Sequence, residues 1–170
     1  MGPEDSGLHL FAEVGNAEEA VVTGFGLEMG LRDFYLSMQK VVASEATKTL
    51  FEKLAGIEIL HQEKLVQLYK DLTGTTISMH EFAEKIVEPA MEGGMTTDEY
   101  LLLYQADLGS ELEVLGMALS IEAQALDLYS RAAAKTEIKG ARRVLQQIAN
   151  DERSHIARLS HYIDNQKDLK

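Results

Sequence analysis

The chain contains no cysteine. That excludes disulfides, thiolate catalysis, thiolate zinc sites and iron–sulfur clusters built from this chain. Any metal site must use carboxylate and imidazole, a donor set that suits iron, manganese or zinc. Proline is nearly absent, with 2 in 170 residues. Runs of β-branched residues are few as well, and both features favour helices. No apolar stretch is long and uncharged enough to span a membrane. The N-terminus lacks a basic region followed by an apolar run, so no secretory signal is expected and a cytoplasmic location is. Basic residues are scarce: 16 Lys and Arg against 28 Asp and Glu give a net charge of -12. Nucleic acid and anionic membranes attract basic patches, so neither is an expected partner.

The 170 residues are about one domain's worth, and 45% hydrophobic with 26% charged content is ordinary for a globular chain. Residues 1–15 read as a lead-in broken by Gly and Pro. Asn16 and Glu19 have the spacing of a helix cap and predict a first helix to about Ala43. That helix carries Gly24, Gly26 and Gly30, which predict close helix packing or room beside Glu28. A second helix is expected from about Glu45 to Leu72, stopped by Thr73-Gly74. Residues 73–109 form a long crossover. In it Ser78 with Glu81 predicts a short helix to Val87, before Pro89, and Gly93-Gly94 a break. Thr96 with Glu99 predicts a turn or more of helix to Leu108, and the crossover charges read as a solvated face. Ser110 with Glu113 caps a third helix to about Ala134, and a fourth runs from about Lys139 to Asn165.

Apolar residues recur at steps of three and four along these helices, and acids and histidines interrupt the stripes. The second helix reads Phe51, Leu54, Glu58, His61, Leu65, Leu68, Leu72. The fourth reads Leu145, Ile148, Glu152, His155, Leu159, Tyr162. The third reads Leu112, Leu115, Leu119, Glu122, Leu126, Tyr129, Ala133. Burying such groups without partners costs several kcal/mol.

A shift of 94 residues overlays the chain on itself without a gap. Asn16 falls on Ser110, Glu28 on Glu122, Tyr35 on Tyr129, Glu58 on Glu152, His61 on His155, and Lys64 on Arg158. Half-repeats 16–72 and 110–165 are thus two helical hairpins within one domain, 16–170. Each carries an acid on its first helix and Glu-x-x-His thirty residues later. One Glu-x-x-His is a weak signal, and surface ion pairs are its ordinary alternative. Two matched copies on apolar seams are hard to reach by chance.

This is the constellation of di-metal carboxylate bundles: one Glu from each of two helices and Glu-x-x-His from each of the other two. Two neighbouring divalent cations need anions between them, and a carboxylate has two oxygens with which to bridge. By analogy Glu58 and Glu152 bridge, Glu28 and His61 complete one metal, and Glu122 and His155 the other. Without metal, the four acids are expected to repel one another, raising the Glu pKa values and weakening the bundle. Tyr35 and Tyr129 lie two turns beyond Glu28 and Glu122 on the same faces, within reach of a carboxylate on another helix. The alternative is a core tyrosine with its hydroxyl at the rim. His9, His80 and His161 read as surface residues, and the methionines as core filler.

At these residues the chain resembles the ferritin-like superfamily and, within it, the rubrerythrin family. The resemblance covers about residues 16–165. It rests on Glu28, Glu58-Ile59-Leu60-His61, Glu122 and Glu152-Arg153-Ser154-His155, with Tyr35 and Tyr129. It implies an all-α antiparallel four-helix bundle around two iron ions, with manganese or zinc as substitutes. It implies reduction of peroxide or dioxygen in oxidative defence, an external rubredoxin- or flavoprotein-like electron donor, and a homodimer. Rubrerythrins proper carry a four-cysteine rubredoxin-like module, which this chain lacks. They also carry an extra Glu near the third-helix ligand; three residues before Glu122 stands Leu119. Gly2-Pro3-Glu4-Asp5-Ser6-Gly7 followed by Leu8-His9-Leu10-Phe11 is similar to the joint of rhodanese–rubrerythrin fusions. The expectation is the C-terminal part of such a fusion, without the sulfurtransferase cysteine.

The leading expectation is a di-iron oxidoreductase acting on peroxide or dioxygen. Ferritin-type iron oxidation and storage is one alternative, and would need a shell of many subunits. A metal- or oxidant-sensing interaction module attached to a sulfurtransferase domain is another. Oxygenase, desaturase and manganese-catalase chemistry use the same ligand types.

Overall fold

A computed structural model describes residues 16–90, 97–103 and 107–167. The expected lead-in with His9, the Gly93-Gly94 break and the Thr96 cap lie outside the described residues. Those residues form helices and no strand. None of the helices is long and apolar enough to cross a membrane.

Four long helices make an antiparallel bundle: α1 (Ala17–Gln39), α2 (Glu45–Thr73), α5 (Glu111–Lys135) and α6 (Lys139–Lys167). Their starts follow local chemistry. The side chains of Asn16, Ser44 and Ser110 accept the backbone N–H of Glu19, Thr47 and Glu113, satisfying donors that a helix start leaves free. Gly74, at φ 69°, ends α2 in the left-handed conformation that glycine adopts without steric cost. α1 stops four residues short of the expected Ala43. The β-branched pair Val41-Val42 follows a turn at Lys40, Val42 enters the core, and Ser44 starts α2.

The crossover carries two short helices. α3 starts at Met79 with a reciprocal Ser78–Glu81 cap, widens into a π turn over Ala83–Val87, and ends with Glu88–Ala90. It thus runs through Pro89 rather than stopping before it. The π turn moves the hydrogen-bond register just before a proline, which has no N–H with which to continue the α-helical ladder. Phe82 is fully buried and meets Phe25 of α1 edge-on at 5.0 Å and Tyr69 of α2 at 4.7 Å. Glu84, Lys85 and Glu88 face solvent as expected. α4 spans Thr97–Leu103. It does not reach Leu108, because Asp107 Oδ1 accepts the Gly109 N–H at 2.9 Å and closes a turn there.

Within each hairpin α1 packs on α2, and α5 on α6. The hairpins join through α1 and α5, and more thinly through α2 and α6. On α2 and α6 the apolar seams are buried as their spacing predicts, from Phe51 to Leu68 and from Leu145 to Leu159. On α5 Leu115, Glu122, Tyr129 and Ala133 of the expected seam are buried, but its other three members are not. Leu112, Leu119 and Leu126 are only partly buried, while Ala118, Ala125 and Ala132 are at the interface. These small side chains complete the buried face of α5. At one end Thr47 of α2 donates to Glu111 of α5 and lies 2.9 Å from the Tyr162 hydroxyl of α6, tying the hairpins together.

Candidate metal centre

The six acids and histidines singled out by the repeat converge at the centre of the bundle. Glu28, Glu58, His61, Glu122 and Glu152 have no exposed surface, and His155 is 2% exposed. Donor atoms of Glu28, Glu58, His61 and Glu152 lie within 4.8 Å of one another, as do those of Glu58, Glu122 and His155. Both imidazoles aim Nδ1 at the carboxylates. His61 Nδ1 is 3.3 Å from Glu28 Oε2, and His155 Nδ1 is 3.3 Å from Glu122 Oε2. The two rings stack at 5.6 Å between centroids, inclined by 21°.

Glu58 and Glu152 stand between the two halves. Glu58 Oε2 is 3.2 Å from His61 Nδ1, and its Oε1 is 3.7 Å from His155 Nδ1. Glu152 Oε1 is 2.9 Å from His61 Nδ1, and its Oε2 is 3.3 Å from His155 Nδ1. Each carboxylate thus turns one oxygen toward each imidazole, the disposition of a bridge. All four oxygens are buried, and none has the geometry of a hydrogen bond. Orphaned carboxylate oxygens in a protein interior are costly unless a cation meets them. Four carboxylates and two imidazoles match two divalent cations in charge and donor type. The cluster fits a paired metal site.

The metal-free electrostatics show the same strain. Burial, reinforced by Glu28, pushes Glu58 well above the usual carboxylate range. Burial and Glu152 push Glu122 up to about 8. The expected rise does not extend to Glu152. There burial also pushes up, but the adjacent Glu122 carboxyl and the two histidine rings facing it outweigh that, and its pKa falls. Glu152 therefore holds its charge more firmly than Glu58 or Glu122, and both histidines lie against it. Burial lowers both imidazoles, yet the carboxylates around them win: His61 is raised, and His155 reaches about 9.

Tyr35 and Tyr129 are fully buried, not rim residues. Tyr35 of α1 donates to Glu122 of α5, and Tyr129 of α5 donates to Glu28 of α1. The repeat thus becomes a reciprocal exchange: each hairpin's tyrosine holds the other hairpin's terminal acid. Burial first, and the neighbouring carboxylates second, raise both phenols well above 10.0, so each stays a donor.

Gly24 creates the space for one of them. A Cβ there would stand 2.7 Å from Tyr129 Cε1 and 2.8 Å from its hydroxyl. The room expected beside Glu28 is therefore used by the tyrosine that binds Glu28. Gly30 needs no such account, since a Cβ would meet nothing within 4 Å. His80 and His161 are exposed, far from the cluster's chemistry, as expected.

One contributor had no role assigned from sequence. Asp151 Oδ2 lies 3.3 Å from His61 Nε2 and accepts Lys64 Nζ at 3.0 Å. Burial pushes its carboxyl up, but Lys64 outweighs that and holds it low. Its signal was present in the sequence as a place where the two repeats disagree. Neither residue one turn from Glu122, Leu119 before it or Ala125 after it, is an acid. The extra glutamate implied for rubrerythrins is thus absent on both sides.

A paired Glu-x-x-His cluster between two helical hairpins defines a ferritin-like bundle with a carboxylate–histidine metal centre. The sequence profile named Rubrerythrin matches residues 19–163, and the chain belongs to that family. No curated protein and no solved structure matches the chain significantly.

Proposed function

We propose that the chain is a di-iron oxidoreductase that reduces peroxide or dioxygen, with electrons from a separate donor protein or domain. The observation that carries the reading is the pair Glu58 and Glu152, whose four buried oxygens lack hydrogen bonds and face both histidines. Glu28 with His61 would hold one iron and Glu122 with His155 the other. The iron pair would supply two electrons to the oxidant.

The chain's own residues prepare that site. Tyr35 and Tyr129 remain protonated and donate to the outer carboxylates, so each holds its acid in a fixed orientation toward the cluster. The apolar stripes around the cluster exclude bulk water and strengthen these contacts. With no cysteine among these residues, no iron–sulfur relay is built from them, so the electrons come from outside them, from a second protein or a further domain.

Anaerobic reconstitution with ferrous iron, followed by one equivalent of peroxide, tests the reading. Two irons per chain, peroxide loss and growth of an oxo-bridged chromophore support it. A chromophore that neither forms nor is bleached by a reductant overturns the redox assignment. Size measurement separates the storage alternative, which needs a hollow shell; a homodimer is the assembly we expect.

A further inference from the structure

The two halves of the cluster are related by the repeat, but what stands behind them is not. His61 aims Nδ1 at the carboxylates and places Nε2 against Asp151. Asp151 is half-exposed and also holds Lys64, so a polar chain runs from the cluster to the surface through His61. The shift of 94 residues that superposes His61 on His155 superposes Asp151 on Ile57. The counterpart of the acid is thus a hydrocarbon. Among the described residues no hydrogen bond reaches His155 Nε2, whose ring is held only through Nδ1.

The chemical consequence is direct. An imidazole that donates Nε2–H to a carboxylate is fixed in one tautomer, with the Nδ1 lone pair free toward a metal. The carboxylate also makes that lone pair more basic and fixes the ring's orientation. His61 has this support and His155 does not.

We infer that the two metal positions are inequivalent, and that Asp151 is the positioning residue that makes the His61 position the tighter. The inference rests on the paired-metal reading above. Outer partners of this kind change metal affinity by about 10- to 100-fold. The His61 position therefore fills first and empties last. The surface-linked chain through Asp151 and Lys64 serves that metal alone.

The repeat supplies its own control. Arg158 stands in the second half where Lys64 stands in the first. Ile57→Asp would therefore rebuild the acid together with a cation able to hold it. Asp151→Ile would instead erase the difference between the halves. The experiment is anaerobic titration of the metal-free full chain with Co(II), followed by calorimetry and by the visible ligand-field spectrum.

The wild type should bind two ions in two resolved steps. Asp151→Ile should weaken the first step by about 10- to 100-fold, alter the spectrum of the first equivalent, and bring the steps together. Ile57→Asp should tighten the second step and leave the first in place. Two equal steps in the wild type would overturn the inference while leaving the paired site standing. So would constants unchanged in both variants. A wild type that takes up no pair of ions would overturn the paired-site reading and this inference with it.

Discussion

Tyr35 on α1 donates a hydrogen bond to Glu122 on α5, and both side chains are completely buried. The bond crosses between the two hairpins, and Tyr129 returns it to Glu28. Each half of the site is therefore completed by the other. Tyr35→Phe and Tyr129→Phe should each loosen the metals, by about 10- to 100-fold in affinity. Competition with a chelator, monitored as metal released per chain, measures this. A loss below twofold in both variants would show that the hydroxyls do not hold the ligands.

The same burial makes a second, independent prediction about the phenols. Both are raised well above 10.0, chiefly because the interior disfavours phenolate. In an absorbance titration of the folded protein they should remain silent at the pH where an ordinary tyrosine ionises, about 10. Replacing either by Phe should then leave the alkaline amplitude of the folded protein unchanged and reduce it only after unfolding.

Gly24→Ala should destabilise the bundle even though alanine is the better helix former by about 1 kcal/mol. The new methyl group would sit 2.7 Å from a fixed, fully buried ring. Overpacking of this kind costs about 1–3 kcal/mol, and the Tyr129–Glu28 bond would be disturbed as well. Denaturant unfolding should show the loss. Gly30→Ala, with open space at the same distance, should be neutral or slightly stabilising.

Much of this was legible in the chain. The Glu-x-x-His copies, their matched acids and the reciprocal tyrosines are local spacings repeated at a fixed offset. Periodicity and repetition report such features directly. The alanine side of the α5 face was not legible, although Leu115, Glu122, Tyr129 and Ala133 were. A search for large apolar residues settles on Leu112, Leu119 and Leu126, whereas the fold buries Ala118, Ala125 and Ala132. The mismatch of Asp151 with Ile57 was visible in the repeat, but the role of Asp151 was not, for another reason. Its role depends on which residue of α2 lies across the thin α2–α6 contact, and helical spacing within α6 carries no such information. The passage of α3 through Pro89 depends likewise on a π turn that no residue in Ala83–Val87 announces.

The metal-free protein should lose stability as pH rises. Glu122 is raised from 4.5 to about 8, and His155 from 6.5 to about 9, each relative to its ordinary value. A group whose folded pKa exceeds its unfolded one stabilises the fold fully below the unfolded value. That contribution is lost as pH climbs through the folded value. These two groups place the loss between about pH 4.5 and pH 9, and Glu58 and His61 are raised in the same direction. Glu152 is lowered and acts oppositely, withdrawing its support as pH falls below the ordinary carboxylate range. The melting temperature of metal-free protein should therefore peak in mild acid and decline toward pH 9. Metal binding should raise it and flatten the decline, because cations replace the shared protons. A metal-free melting temperature that rises steadily to pH 9 would contradict this.

The bridging pair is the centre of the account, and metal stoichiometry tests it most directly. Iron per chain is measured after anaerobic reconstitution of the wild type, of Glu58→Ala, of Glu152→Ala and of the variant carrying both. The wild type should hold two irons. Each single variant should lose the coupled pair, and the double variant should hold none as a pair. Two irons per chain in the double variant would contradict the assignment of Glu58 and Glu152 as the bridges on which the site depends.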